Sequence, residues 1–151
     1  HLLGVHAPGE ADLGRFGAAL HHFNLATGLG LERLRSAGSW QLGTVLNLQP
    51  VHPATDEEPD LHAAALFDAF WNRSALEPLL RGGYPEATRH VFEPFLEAGD
   101  LEQIRQPLDF LGLNHYTRFR VRADAGSFVG VAQAEPPAGA ARTAMGWEIY
   151  P

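Results

Sequence analysis

An amide, an imidazole and a phenol stand in a row at Asn114, His115 and Tyr116, directly after the apolar run Phe110-Leu111-Gly112-Leu113. A phenol can donate its single proton to a carboxylate while its ring packs against a wall, and an amide can donate to a carboxylate or a hydroxyl. Polar groups ending an apolar run point to a site at the end of a strand. The plainer alternatives are an ordinary half-buried strand tyrosine and a strand-end cap. Other chemistries are closed off. All eleven basic residues are arginine, so no lysine nucleophile, Schiff base or phosphate-loop lysine lies in this stretch. Cysteine is absent, which removes disulfides, thiolate catalysis and cysteine-ligated zinc. Of the eight histidines, His21 and His22 are adjacent and would diverge by about 100° on a helix, and no His-x-x-x-His pair occurs. No metal site is expected. Gly28 and Gly30 lack the third glycine of a dinucleotide loop.

The elements that must position these groups read as follows. Leu13, Phe16, Leu20, Phe23, Leu31 and Leu34 recur at helical spacing, predicting a helix over about 12–36 with that apolar face and a stop at Gly38. Val45 to Leu48 reads as a buried strand ended by Pro50 and Pro53, which cannot serve a ladder bond. The acidic run Asp56-Glu57-Glu58 opens a second helix to about residue 74. A loop or short helical turn over Leu76 to Tyr84, a helix over Glu86 to Leu96 and a polar connector between Gly99 and Pro107 are expected next. Phe110 to Leu113 suits a fully buried parallel strand, with a buried helix the alternative for so short a run, and the Ala-, Gly- and Pro-rich residues 123–142 suit an extended surface loop. The alternation fits consecutive βα units, so the fold class is α/β with a parallel sheet.

The stretch Asp109-Phe110-Leu111-Gly112-Leu113-Asn114-His115-Tyr116-Thr117 closely resembles the sixth barrel strand of family 1 glycoside hydrolases, the β-glucosidase and 6-phospho-β-glucosidase family. Gly43 to Thr55 resembles that family's fifth strand and its following loop, and Thr143-Ala144-Met145-Gly146-Trp147-Glu148-Ile149-Tyr150-Pro151 resembles a later segment. Gly4 to Gly9 and Pro78 to Pro85 give smaller matches in family order. The resemblance implies a (β/α)8 barrel, of which the chain holds the region around strands five and six with flanking helices. With no Met at its start and an end just after a motif, the 151-residue chain reads as one central fragment of a single barrel domain, since such a barrel takes about 250 residues.

The same resemblance assigns roles. Tyr116 would hydrogen-bond the nucleophilic carboxylate and favour its ionised form, and Asn114 would sit beside the acid/base residue. Trp147 would form a flat wall where the leaving group lies, and Asn47 would contact that group from the mouth of strand five. His115, on the opposite strand face from Asn114 and Tyr116, stands where the family commonly has Tyr and reads as packing. His6 would line the cleft or fix the Pro8-Gly9 turn. The family's acid/base Glu, in an Asn-Glu-Pro motif, would fall before His1, and its nucleophile, in Thr-Glu-Asn-Gly, after Pro151. Neither motif occurs here, so no catalytic carboxylate is expected in this segment, which should be inert by itself. Departures from the family pattern at His21 to Thr27 and at Trp71 to Pro78 sit on outer helices.

What the resemblance implies is a retaining β-glycosidase without cofactor, acting on a terminal β-linked glucose or a similar sugar in a β-glucoside or oligosaccharide. A 6-phospho-β-glycosidase is one alternative. A non-catalytic sugar-binding module that kept the barrel wall is another, and the two flanking motifs would separate it from the enzyme. Composition agrees with a globular protein: 45% hydrophobic residues and a mean hydropathy of −0.15. A formal charge of −7 disfavours nucleic acid and anionic membranes as partners. With no cysteine and no leader or apolar run near 18 residues in this segment, a cytoplasmic location is expected, the alternative being a leader carried on a missing start.

Overall fold

Asp12 opens the first helix, α1 (Leu13–Ala37), by accepting the Arg15 N–H at 2.7 Å, one of the donors a helix start leaves unpaired. The computed structural model describes Gly4 and residues 9–151; His6 and its turn lie outside the described residues. After α1 come β1 (Gly43–Asn47), β2 (Val51–Pro53), α2 (Glu58–Asp68), a π-helical turn over Ala69–Arg73 and α3 (Ser74–Arg81). Then follow α4 (Arg89–Phe92), α5 (Asp100–Ile104), β3 (Phe110–Asn114), β4 (Phe119–Ala123) and β5 (Val131–Gln133). The chain packs as two compact units, one made of residues up to Leu46 with Arg73–Gly112, the other of Asn47–Asn72 with Leu113–Pro151.

In the first unit α1 has the expected extent and part of the expected buried face, with Leu31 buried and Leu13, Phe16 and Leu20 half-buried. Gly17, His21, Asn24, Gly28 and Leu31 are buried, whereas Phe23 and Leu34 are each 52% exposed. Backbone proximity decides this: a Cβ at Gly17 would collide with the Val91 carbonyl, and one at Gly28 with the Gln103 carbonyl. Large apolar residues do not fit where glycine is required. The polar members are buried because they are bonded. Asn24 donates to Ser74 C=O at 3.2 Å, the carbonyl to which Pro78, four residues on, supplies no N–H. Asn24 also donates to the Tyr84 hydroxyl at 3.4 Å, which directs the Tyr84 proton to His21 Nδ1 at 3.1 Å. His21 Nε2–H then donates to Asp100 at 3.0 Å. Burial pushes the Tyr84 phenol up to about 12.

Residues 76–81, expected as a loop or short helical turn, are helical and belong to α3, which stops at Gly82 in the left-handed conformation (φ 74°). The helix expected over 86–96 is only α4, followed by a 3-10 turn at Glu93–Phe95 where Pro94 lacks an N–H. The polar connector contains α5.

β1 and β3 form a two-stranded sheet. Asp109 N–H to Leu42 C=O at 2.7 Å and Leu48 N–H to Asn114 C=O at 3.2 Å advance the same way on both strands, so the pair is parallel. Full burial is not observed: Phe110 is 51% and Leu113 61% exposed, because two strands alone cover neither face.

In the second unit the order is β2-β4-β5, parallel then antiparallel. α2 lays Ala63, Ala64 and Phe67 on Val121 and Val131, and Trp71 meets Phe119 at 4.9 Å between ring centroids. Pro53 is a strand residue after all, since β2 is an edge strand and a missing N–H there costs no ladder bond. The loop expected over 123–142 carries β5, which pairs back onto β4 through Arg122↔Ala132. No helix among the described residues is long and apolar enough to cross a membrane.

Candidate functional site

The site candidates all lie in the second unit, and backbone chemistry explains how they are presented. Thr143 to Trp147 is a closed turn. Gly146, at φ +82°, donates to Thr143 C=O at 2.9 Å, Thr143 donates to Trp147 C=O at 2.8 Å, and Trp147 N–H donates to Thr143 Oγ1 at 3.2 Å. Ile149 N–H to Ala141 C=O at 2.8 Å and an Arg142↔Glu148 bridge extend the closure. Trp147 is thus held by its backbone on both sides while its side chain remains 44% exposed.

A second set of contacts joins this turn to the residues after β3. Arg118 makes a two-pronged pair with Glu148, Nε to Oε2 at 2.9 Å and Nη2 to Oε1 at 2.8 Å. This planar fork-on-fork geometry is the strongest form of the contact. Thr117 donates to Glu148 C=O at 2.9 Å, His115 Nε2 lies 3.1 Å from Tyr150 C=O, and the Arg118 guanidinium sits 4.2 Å over the Tyr150 ring. His52 meets the same ring edge-on at 5.4 Å. Tyr116 and Trp147, 31 residues apart in sequence, consequently stand edge to face at 5.8 Å. Both remain open to solvent, Tyr116 being 53% exposed.

Asn47 and Asn114 are the last residues of the paired parallel strands β1 and β3, and both are exposed. The Asn114 carbonyl accepts Leu48 N–H, which leaves its side-chain amide for other use. The carboxyl end of β1 is held by Asn72, on the π-helical turn, whose side chain accepts Gln49 N–H at 3.1 Å and donates to Gln49 C=O at 2.8 Å. A π turn adds one residue to a helix and re-aims its side chains, which is how Asn72 reaches that peptide. Among the described residues no three His, Asp or Glu side chains come together as metal ligands would.

Sequence reasoning assigned no role to Arg118, Glu148 or Asn72. A signal for the first two existed: Glu148 is the acid within the Thr143–Pro151 motif and Arg118 ends the motif of β3. Asn72 gave none, because a π turn leaves no periodicity to read.

Arg118's hydrogen bonds hold the Glu148 carboxyl below its ordinary value against the opposing pull of burial, with Coulombic help from Arg118, Arg120 and Arg142. The Arg118 guanidinium is correspondingly held high. A depressed folded-state carboxyl contributes stability above its ordinary value and loses it as pH falls through the lower folded value. The melting temperature of the intact protein should therefore fall on acidification below about pH 4.5. Glu148→Gln should flatten that acid limb and lower the melting temperature at neutral pH. An acid limb identical in the two proteins would remove the pair from the stability of this site.

Comparison with known proteins comes from three directions. The family model for glycosyl hydrolase family 1 matches residues 1–151. A β-glucosidase from an Agrobacterium strain is 41% identical over 156 aligned residues, covering 99% of this chain and 34% of that protein. Among solved structures, the psychrophilic β-glucosidase BglU from Micrococcus antarcticus superposes with a TM-score of 0.87 at 40% identity, over 99% of this chain and 37% of that one. Virulence factor SghA from Agrobacterium tumefaciens gives 0.88 at 41%, over 99% and 35%, and SghA has also been solved with its substrate analog salicin. The chain spans about a third of the length of the curated relatives it matches.

Proposed function

This chain belongs to glycosyl hydrolase family 1, and on that premise we propose that it is the region around strands five and six of a (β/α)8-barrel β-glucosidase that cleaves terminal β-linked glucose with retention. The observation that carries this reading is the open edge-to-face pair of Tyr116 and Trp147, set beside strand ends that bear Asn47 and Asn114. Chemistry in parallel α/β barrels gathers at those strand ends.

In this reading the two carboxyl groups of the reaction come from outside residues 1–151, about 5–5.5 Å apart as retention requires. Tyr116 donates its phenolic proton to the nucleophile, keeping it ionised and oriented. Asn114 serves the acid/base residue or a sugar hydroxyl. Trp147 offers a ring face to the leaving group, and Asn47 approaches that group from β1. No cofactor takes part. The full-length protein tests the reading directly: with an aryl β-glucoside, proton NMR should show the β-anomer of glucose forming first. First-formed α-anomer, or no turnover of any β-glycoside, would overturn it.

Trp147→Ala separates sugar recognition from leaving-group recognition. Lost apolar contact of about 1–3 kcal/mol should raise KM for aryl and disaccharide substrates. Inhibition by a glucose-site ligand that carries no aglycone should hardly change. Equal losses for both ligand types, or a collapse in melting temperature, would make Trp147 a structural anchor.

A further inference from the structure

Trp147 also lines a cavity of about 250 Å3, bounded by β4, β5 and the 142–148 turn, whose charged lining is Arg118, Arg120, Arg142, Glu135 and Glu148. At about 30 Å3 per water that is room for roughly eight. Three guanidinium groups against two carboxylates leave a formal surplus of one positive charge, in a chain whose net charge is −7. The three arginines are not equivalent. Arg118 is fully engaged by Glu148. Arg120 is fixed by two neutral acceptors, Nη1 to Glu135 C=O and Nη2 to Ala54 C=O, both at 2.7 Å, so it is rigid with no carboxylate in contact. Arg142 is loosely held: its bonds to Gly146 C=O and to the Glu135 carboxylate are both 3.5 Å long, and the Glu135 side chain is 88% exposed. An exposed pair at that separation adds little and is readily exchanged for a better acceptor.

We propose that this cavity is a subsite for a carboxylate carried by the aryl leaving group, with Arg142 as the exchangeable fork that grips it, Arg120 as the fixed charge behind it and Trp147 as the wall for the ring. It rests on the β-glucosidase reading, which puts the leaving group at Trp147. Arginine suits a carboxylate because its planar donors match the two oxygens. A neutral leaving group meets the same wall without the grip. The glucose end is indifferent to the charge.

The test uses the full-length enzyme and two substrates differing in one charge, 3-carboxy-4-nitrophenyl β-glucoside and its methyl ester. Arg142→Gln should lower kcat/KM for the carboxylate about tenfold, the value of roughly one charged hydrogen bond, and change the ester by less than about twofold. Arg142→Lys should recover part of the loss, and the preference of the unaltered enzyme for the carboxylate should shrink as salt rises. Equal losses on both substrates, or no loss on the carboxylate with the ester turned over normally, would overturn the subsite alone. If neither substrate is turned over, the β-glucosidase reading falls and the subsite falls with it.

Discussion

A full-length enzyme carrying Tyr116→Phe is expected to lose about 10- to 200-fold in kcat while keeping its melting temperature. The magnitude follows from the removal of one hydrogen bond to a charged group, about 1.5–3 kcal/mol, with about 1.36 kcal/mol per tenfold in rate. The specificity of the loss follows from the surroundings of Tyr116. Its ring is half exposed and, among the described residues, meets the Trp147 ring at 5.8 Å, and phenylalanine keeps both. A phenol that stabilises an ionised carboxylate also depresses that carboxyl, so the acid limb of the pH–rate profile should move upward in the variant. An unchanged kcat, or a fall in kcat matched by a fall in melting temperature, would return Tyr116 to ordinary packing.

The 151-residue chain expressed by itself is expected to show no turnover of an aryl β-glucoside, because on the proposed reading both reacting carboxyl groups lie outside residues 1–151. Retaining hydrolysis needs one carboxylate to attack and one carboxylic acid to protonate the leaving oxygen. Glu148 is ionised and doubly bonded to Arg118. Asp60 accepts from Ala123 N–H at 2.8 Å and from the Thr55 hydroxyl at 2.7 Å, contacts that hold its carboxyl low. Groups held ionised make poor acids, and groups already saturated with donors make poor nucleophiles. Initial-rate assays at high chain concentration are the measurement. Robust turnover that disappears in Glu148→Gln or Asp60→Asn would show that the working carboxylates lie inside the chain and that the family roles have been misplaced.

How far the sequence disclosed this arrangement depended on whether a feature was local. α1 was visible in extent because its periodicity and its stop at Gly38 are local signals. Its buried face was visible only in part, because close approach to Val91 and Gln103 selects Gly17 and Gly28 over leucine, and that approach is set by distant chain. The β4–β5 pairing was missed for a related reason: Val131 to Gln133 is only three residues long, too short to show alternation within an Ala- and Gly-rich stretch. For the site, the motifs around Asn114 and Trp147 stood out separately. Their union through Arg118, Thr117 and Glu148 is a tertiary fact no spacing rule contains.

The mixed buried face of α1, part apolar and part glycine and polar, bears on how this helix tolerates change. A uniform leucine stripe holds a helix by area and lets it slip by a turn or rotate at small cost. His21 and Asn24 instead accept one placement each, since an imidazole wedged between Tyr84 and Asp100 and an amide covering the carbonyl above Pro78 have no second solution. The glycines act as a depth stop and the two polar side chains as an index mark. Along this helix hydropathy alone is a poor guide to constraint: Phe23 and Leu34 are half exposed, and the small and polar positions, together with Leu31, carry the information that sets where the helix lies.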